Sequence, residues 1–151
     1  MNFSISNIAW PKAWDQEVYT HLKEKGFSAI EIAPLRTIDS GYDAQPAEIE
    51  AWLKSYHSMF DEISSMQSLL FKMEGSIFAS ESIMENVLSV LKKGTLFASN
   101  MNVRNLVFGS PTLRNVSNTE EYQRAVRFFK QLADDTEELG ISLALEPNPV
   151  I

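Results

Sequence analysis

The residue with the clearest chemical potential stands where an apolar run ends. Glu146 closes the run 141–145 and is followed by Pro147. A carboxylate at the carboxyl end of a parallel strand is a suitable ligand for Mg²⁺, Mn²⁺ or Zn²⁺, and it can also take up a proton. Open α/β sheets and α/β barrels both keep their chemistry at that end. Glu146 is therefore the first candidate for a catalytic residue, with a solvated acid at the start of a loop as the alternative.

Further polar residues fall within or just after other apolar runs. Glu31 and Gln67 stand in the second and third runs, where each can serve a site or satisfy a structural hydrogen bond. Asn7 has the same two interpretations near the end of the first run. Ser110 and Arg114 follow the fourth run, where a hydroxyl and a guanidinium can hold a phosphate or a sugar hydroxyl, unless the arginine is only a surface residue.

Other catalytic signatures are absent from the sequence. It has no glycine-rich phosphate loop, no H-E-x-x-H or G-x-S-x-G motif, and no cysteine. The two histidines, His21 and His57, fall in predicted helices and outside the spacing of metal ligands. The candidate chemistry therefore rests on carboxylates, amides and hydroxyls.

Five apolar runs alternate with helical patterns and position these residues. The predicted strands are 3–8, 27–33, 63–70, 105–109 and 141–146. The predicted helices are 15–25, 46–56, 82–100 and 119–139, with a capping-box pattern at Ser82–Glu85. Strands that alternate with helices of this length indicate a parallel sheet with right-handed crossovers.

The alternation of side chains within the strands favours a barrel, although the order of elements also fits an open doubly wound sheet. Ile30 and Ile32 must face the helices, which leaves Glu31 on the other side of the strand. Leu143 and Leu145 leave Glu146 on that side in the same way. A parallel sheet covered by helices on both faces needs apolar residues on both sides, whereas one small or polar face suits a barrel lumen.

The length limits how much of a barrel can be present. An eight-stranded barrel typically takes about 250 residues, and this chain has 151. We therefore expect an α/β fold with one domain over residues 1–151, an incomplete (β/α)8 barrel of about five strands and four helices.

Charge and hydropathy exclude several classes of partner. Thirteen Lys and Arg against twenty Asp and Glu give a net charge of −7. This disfavours nucleic acid, because binding to a phosphate backbone needs a basic face, but it leaves a small anionic substrate possible. No apolar stretch is long enough for a membrane span, and the amino terminus lacks the pattern of a signal peptide. We expect a cytoplasmic protein without a membrane or nucleic-acid partner.

Four segments, in their order and spacing, resemble the sugar phosphate isomerase/epimerase family of xylose isomerase-like barrels, which also has an apurinic endonuclease branch. The segments are Ser6–Trp10, Ile30–Pro34, Val107–Pro111 with Arg114, and Leu145–Pro149. The resemblance spans the whole chain, yet it covers only the amino-terminal five of the family's eight strands. Gln67 stands where the endonuclease branch carries a histidine, and the acidic charge further favours the isomerase branch.

The resemblance implies a chemical role for Glu146 and a substrate of a stated class. Glu146 matches the glutamate that binds the divalent metal (Mn²⁺, Mg²⁺ or Zn²⁺) and that takes part in proton transfer through an enediolate in the epimerases. The substrate it implies is a small sugar or sugar phosphate. It places Ser110, Arg114 and Asn148 at or near the substrate and matches Glu31 to an acid common in the second strand. With Glu31 and Gln67 added as further candidates, the residues expected to bind substrate are Glu31, Gln67, Ser110, Arg114 and Asn148.

The resemblance also leaves two hypotheses open. The family draws an aspartate, a histidine and a last glutamate from strands six to eight, and these have no counterpart in the 151 residues. One hypothesis is the amino-terminal part of an isomerase or epimerase that is active only when the missing strands are supplied. The other is a non-catalytic half-barrel or remnant binding module that forms homo-oligomers through its open sheet edges.

Overall fold

Five parallel strands form one sheet whose spatial order is the order of the chain. A computed structural model describes residues 3–71 and 73–147. The strands are β1 (Ser4–Ser6), β2 (Ala29–Ile32), β3 (Glu62–Met66), β4 (Asn105–Phe108) and β5 (Ser142–Leu145). A doubly wound sheet reverses its strand order at a switch point, whereas a barrel adds each strand beside the previous one. The sequential order therefore confirms the partial-barrel arrangement.

Four long helices and one short helix connect the strands. They are α1 (Asp15–Glu24), α2 (Pro34–Thr37), α3 (Pro46–Tyr56), α4 (Glu81–Asn100) and α5 (Thr119–Glu137). The four long helices are those predicted from the apolar periodicity. The one-turn helix α2 lies in a segment predicted as a loop, and it begins at a proline, which is well suited to the first helical position.

The core lies between one face of the sheet and the helices. The strands contribute fully buried side chains at alternate positions, including Ile30, Ile32 and Met66. Phe128 of α5 packs edge-on against Phe108 of β4, with the ring centroids 5.9 Å apart. This one-sided core leaves the opposite face of the sheet for polar residues.

Two local predictions fail at the ends of elements. The predicted capping box at Ser82–Glu85 is wrong, because α4 begins earlier and Ser80 is its N-cap, with Oγ accepting from the Ile83 amide at 3.3 Å. The third strand also ends earlier than predicted. Ser68 has φ of 56°, which turns the chain after β3 and sends the buried Leu69 and Leu70 into the core.

Gly94 lies in the middle of α4 because an aromatic ring occupies the space beside it. A Cβ at this position would lie 2.9 Å from Cζ of Tyr42. The Tyr42 hydroxyl donates to the carbonyl oxygen of Leu69 at 2.8 Å, which holds the ring against the helix. The helix therefore continues through the glycine, and the close contact offsets its low helix propensity.

The outer strands β1 and β5 each have one neighbour within the described part of the chain. Along the same stretch, no helix combines the length and the apolarity needed to cross a membrane.

Candidate functional site

Four polar side chains, three from neighbouring strands and one from the residue directly after β3, form a hydrogen-bonded row on the sheet face opposite the helices. Ser6, Glu31 and Ser65 are register partners across β1, β2 and β3. The Glu31 carboxylate accepts from Ser65 Oγ at 2.5 Å and from Gln67 Nε2 at 2.6 Å. Gln67 Nε2 also donates to Ser6 Oγ at 2.5 Å. The structure thus brings together Glu31 and Gln67, two of the residues predicted for the site.

Sequence reasoning missed the two serines of this polar row, and a bulge explains why it missed Ser65. Ile30 pairs with Ile63, but Glu31 pairs with Ser65, so Ser64 is an extra residue in β3. The bulge shifts the alternation of β3 by one position and places Ser65 and Gln67 on the same side as Glu31. Ser6 follows the simple alternation of β1, and its serine type at an inward position was the available signal.

The polar row combines a carboxylate, an amide and two hydroxyls, all of them half-buried. A carboxylate only accepts hydrogen bonds, whereas hydroxyls and an amide can both donate and accept. Such a mixed set is suited to hydroxyl groups of a neutral ligand, which also donate and accept. The partial exposure keeps the row within reach of a solute.

Glu146 lies at the carboxyl end of β5, and its carboxylate turns towards β4. Its Oε2 is 2.6 Å from the position that a Cβ on Gly109 would take. Its amide donates to the carbonyl oxygen of Phe108 at 3.1 Å, which continues the β4–β5 ladder by one residue. Glu146 is exposed to solvent. The absence of a side chain at Gly109 therefore gives the carboxylate its place at the strand end.

Arg114 ties the loop after β4 to the end of β5. Its guanidinium donates to the main-chain carbonyl oxygen of Glu146. The turn that begins at Ser110 brings it there, with the Leu113 amide donating to the Ser110 carbonyl oxygen at 3.1 Å. Arg114 Nε is buried and has no hydrogen-bond partner among the described residues. The arginine thus lies beside Glu146, and binding of a substrate by Ser110 or Arg114 stays a prediction.

Two other sequence candidates have different outcomes. Asn7 is buried, and its Oδ1 accepts from the Ala33 amide at 2.9 Å, which is the structural hydrogen bond that the sequence left as the alternative. Asn148 lies outside the described residues.

The described part of the chain holds no complete site for the metal that the family resemblance implies. Within residues 3–71 and 73–147, no three His, Cys, Asp or Glu side chains form a group that could hold a metal ion. Hard divalent cations need several oxygen ligands, and Glu146 supplies one carboxylate. The described residues therefore do not fit a self-sufficient metal centre.

An ion pair braces the loops that follow β1 and β2. Arg36 Nη2 lies 2.7 Å from Asp15 Oδ1 and donates to the Trp10 carbonyl oxygen at 2.9 Å. Trp10 Nε1 donates to the same Asp15 oxygen at 2.7 Å. Tyr19 packs edge-on against Trp10, and burial raises the pKa of the Tyr19 phenol. These contacts hold in place the loops at the carboxyl ends of β1 and β2, next to the polar row.

Comparison by sequence found neither a matching protein-family model nor a matching curated protein. Comparison of structures found similar proteins. A sugar phosphate isomerase/epimerase from Parabacteroides distasonis is 17% identical with a TM-score of 0.72, over 95% of this chain and 50% of that chain. A D-psicose 3-epimerase crystallised with D-fructose is 16% identical with a TM-score of 0.71, over 95% and 51%.

A third similar structure, the IolI protein with a bound zinc atom, is 14% identical with a TM-score of 0.66, over 96% of this chain and 51% of that chain. The chain thus spans about half the length of the solved proteins that it matches. At these identities the likeness establishes the fold alone. The chain has an α/β fold that matches about half of sugar isomerase- and epimerase-like barrels, and this confirms the resemblance seen in the sequence at the level of the fold.

Proposed function

We propose that the chain supplies the amino-terminal five strands, and one part of the active site, of a sugar isomerase or epimerase barrel. The observation that carries this proposal is the position of Glu146 at the carboxyl end of β5, with its carboxylate over Gly109. Barrel enzymes place their catalytic groups at this end of the strands. The similarity of fold to sugar isomerase- and epimerase-like barrels supports the same reaction class.

In the proposed reaction, the Glu146 carboxylate removes a proton from the carbon next to the sugar carbonyl. The electron pair of the broken C–H bond forms the carbon–carbon double bond of an enediolate, and the carbonyl oxygen takes the negative charge. Addition of a proton to the opposite face of the same carbon, from an acid outside the described residues, gives an epimer. Addition of the proton to the former carbonyl carbon, with the proton of the neighbouring hydroxyl passing to the oxyanion, gives an isomer. Ser6, Glu31 and Gln67 bind the hydroxyls of the small sugar or sugar phosphate.

Glu146 also contributes one ligand to a divalent metal in this proposal. The remaining ligands must come from outside the described residues, because these hold no group of three candidate ligands. We therefore expect no isomerase activity from the 151 residues alone.

Hydrogen exchange in a completed barrel tests the proposal. The chain is fused to the carboxyl-terminal half of the D-psicose 3-epimerase that shares its fold, and deuterium uptake into D-fructose in D₂O with Mn²⁺ is followed by NMR. Glu146→Gln should slow the uptake at least about 100-fold, the typical contribution of a positioned general base. Glu50→Gln, on the exposed side of α3, is the matched control. Uptake by Glu146→Gln at the wild-type rate would contradict the assigned role.

A second proposal concerns the chain by itself, which we expect to form homo-oligomers. A groove of about 930 Å³ lies beside α5 and the end of β5, lined by residues that include Val116, Tyr122, Val126 and Phe129. Tyr122 and Val126 are exposed although both are large and apolar. Open parallel edges next to an apolar groove favour association with a second chain.

A further inference from the structure

A second pocket, with a volume of about 380 Å³, opens at the carboxyl ends of β1 to β3, beyond the polar row. We call it the mouth pocket. Small-molecule sites begin at about 300 Å³, so this volume suits one ring-sized group. Ile8 and Ala33 come two residues after Ser6 and Glu31, and Ser68 comes directly after Gln67. The pocket therefore continues the polar row towards the carboxyl ends of β1 to β3. The lining residues are Ile8, Ala33, Leu35, Arg36, Ser68 and Phe71.

Three large apolar side chains are exposed around this one pocket. The exposed fractions are 51% for Ile8, 40% for Leu35 and 61% for Phe71. Single exposed apolar residues are common on protein surfaces, but several around one concavity mark a binding site. The turn at Ser68, with φ of 56°, directs the chain so that Phe71 reaches the mouth while Leu69 is buried.

The pocket is poorly suited to an anion. Arg36 is the charged residue of its lining, and both Asp15 carboxylate oxygens accept from the guanidinium, at 2.7 and 3.3 Å. The Trp10 carbonyl oxygen accepts a further bond from it at 2.9 Å. A phosphate would therefore meet a neutralised cation and apolar walls, and it would lose hydration without gaining an ion pair.

We infer that this mouth pocket binds the apolar substituent of a neutral keto sugar, such as the aryl or alkyl group of a glycoside with a ketone on its ring, while the polar row binds the sugar hydroxyls. The inference rests on the proposed sugar-processing function and specifies its substrate class, because a sugar phosphate would leave the apolar pocket unfilled. The loops are held in place before binding by the Arg36–Asp15 pair and by the bond from the Ala33 amide to Asn7. Such preorganisation lowers the entropic cost of binding.

NMR titration of the 151-residue chain, with ¹³C-labelled isoleucine and leucine methyl groups, tests this inference. The probes are phenyl β-D-glucopyranoside, methyl β-D-glucopyranoside and glucose 6-phosphate. Phenyl glucoside should shift the methyl signals of Ile8 and Leu35 and bind at least about fivefold more tightly than methyl glucoside, because the ring buries apolar surface. Glucose 6-phosphate should bind no more tightly than methyl glucoside. Equal affinity for all three probes, tightest binding of the phosphate, or no binding would overturn the inference.

Two variants and a control locate the effect. Leu35→Ala and Phe71→Ser should each weaken binding of phenyl glucoside about fivefold, in proportion to the lost apolar contact. Leu96→Ala removes an exposed leucine from α4, away from the mouth, and should leave the affinity unchanged. Undiminished binding in Leu35→Ala and Phe71→Ser would contradict the assigned pocket.

All three probes are titrated at one protein concentration, so that self-association of the chain through its open edges does not enter the comparison. This titration is independent of Glu146 and of added metal. A result that overturns the assigned pocket can therefore be distinguished from a result that overturns the proposed proton transfer.

Discussion

At the scale of single residues, the main feature is how the neighbours of each carboxylate place it. Glu31 accepts from Ser65 of β3 and from Gln67 directly after it. The Glu146 main chain is held by Arg114 and by the Phe108 carbonyl oxygen. A main chain that is fixed on two sides limits the positions that the exposed Glu146 carboxylate can reach. Defined position is what proton transfer requires of a base.

Gly109→Ala separates this positioning from stability. The new Cβ would lie 2.6 Å from Glu146 Oε2, so the carboxylate must move, whereas little else lies close to that position. Because the displaced atom ends an exposed side chain, we expect a stability change below about 1 kcal/mol. In the completed barrel, deuterium uptake should nevertheless fall at least about tenfold, since misplaced catalytic groups lose rate steeply.

The two readouts for Gly109→Ala are the thermal unfolding midpoint and the uptake of deuterium into D-fructose. Unchanged uptake with an unchanged midpoint would show that the Glu146 carboxylate acts from another position or does not act. A large fall in the midpoint would show that Gly109 is needed for packing rather than for placing Glu146.

At this scale, the sequence predicted the inward position of Glu31, because strand alternation depends only on neighbouring residues. It did not predict the partners of Glu31, since the bulge at Ser64 changes the side on which Ser65 lies. It also did not predict that Arg114 would bind the Glu146 main chain, because that contact joins residues 32 positions apart.

At the scale of elements, the side chain of Tyr56 joins the end of α3 to two strands. Its hydroxyl accepts from the Ile30 amide at 3.1 Å and donates to the Glu62 carbonyl oxygen at 2.7 Å. The residue is buried, and burial raises the pKa of its phenol. The hydroxyl thus completes the hydrogen bonding where β2 and β3 begin.

Tyr56→Phe should lower the free energy of unfolding by about 1–3 kcal/mol, because it removes the hydroxyl partner of the buried Ile30 amide and of the partly buried Glu62 carbonyl oxygen. Urea unfolding followed by tryptophan fluorescence measures the change. Tyr122→Phe removes an exposed hydroxyl from α5 and serves as the matched control, with no expected effect. Equal stability of Tyr56→Phe and the wild type would mean that water replaces the hydroxyl at both groups.

The long helices were predicted well because apolar residues recur on one face over three or more turns. The helices α3 and α5 have the beginnings expected, at Pro46 and Thr119. Short features failed because they depend on single contacts. Leu69 and Leu70 extend the apolar run of β3, but they reach the core through a turn at Ser68, and an apolar run alone does not distinguish these two routes to burial.

At the scale of the whole molecule, the open edges and the α5 groove predict self-association of the 151-residue chain. Light scattering at tens of micromolar should give a mass above that of one chain. The double substitution Tyr122→Lys and Val126→Lys should shift the chain towards the monomer, because it places two charges in the groove. Gln123→Lys, on the same helix, is the control for added charge. A strictly monomeric wild type would contradict the prediction.

The overall architecture was only partly accessible from the sequence. Length and element order limited it to a partial barrel or an open sheet, and the polar inner positions favoured the barrel. The pairing of the strands in the order β1 to β5 distinguishes the partial barrel from the open sheet. Strand pairing joins residues far apart in the chain, so it cannot be predicted from local periodicity. The pocket at the mouth was not predicted for the same reason, because its walls come from three separate loops.

The central claim is that this chain carries one part of a divided metal and proton-transfer site. Calorimetric titration with Mn²⁺ of the chain, of the completed barrel and of the completed barrel with Glu146→Gln tests it most directly. We predict micromolar affinity for the completed barrel alone, since several oxygen ligands are needed and Glu146 is one of them. Micromolar binding by the isolated chain, or undiminished binding after Glu146→Gln, would contradict the claim.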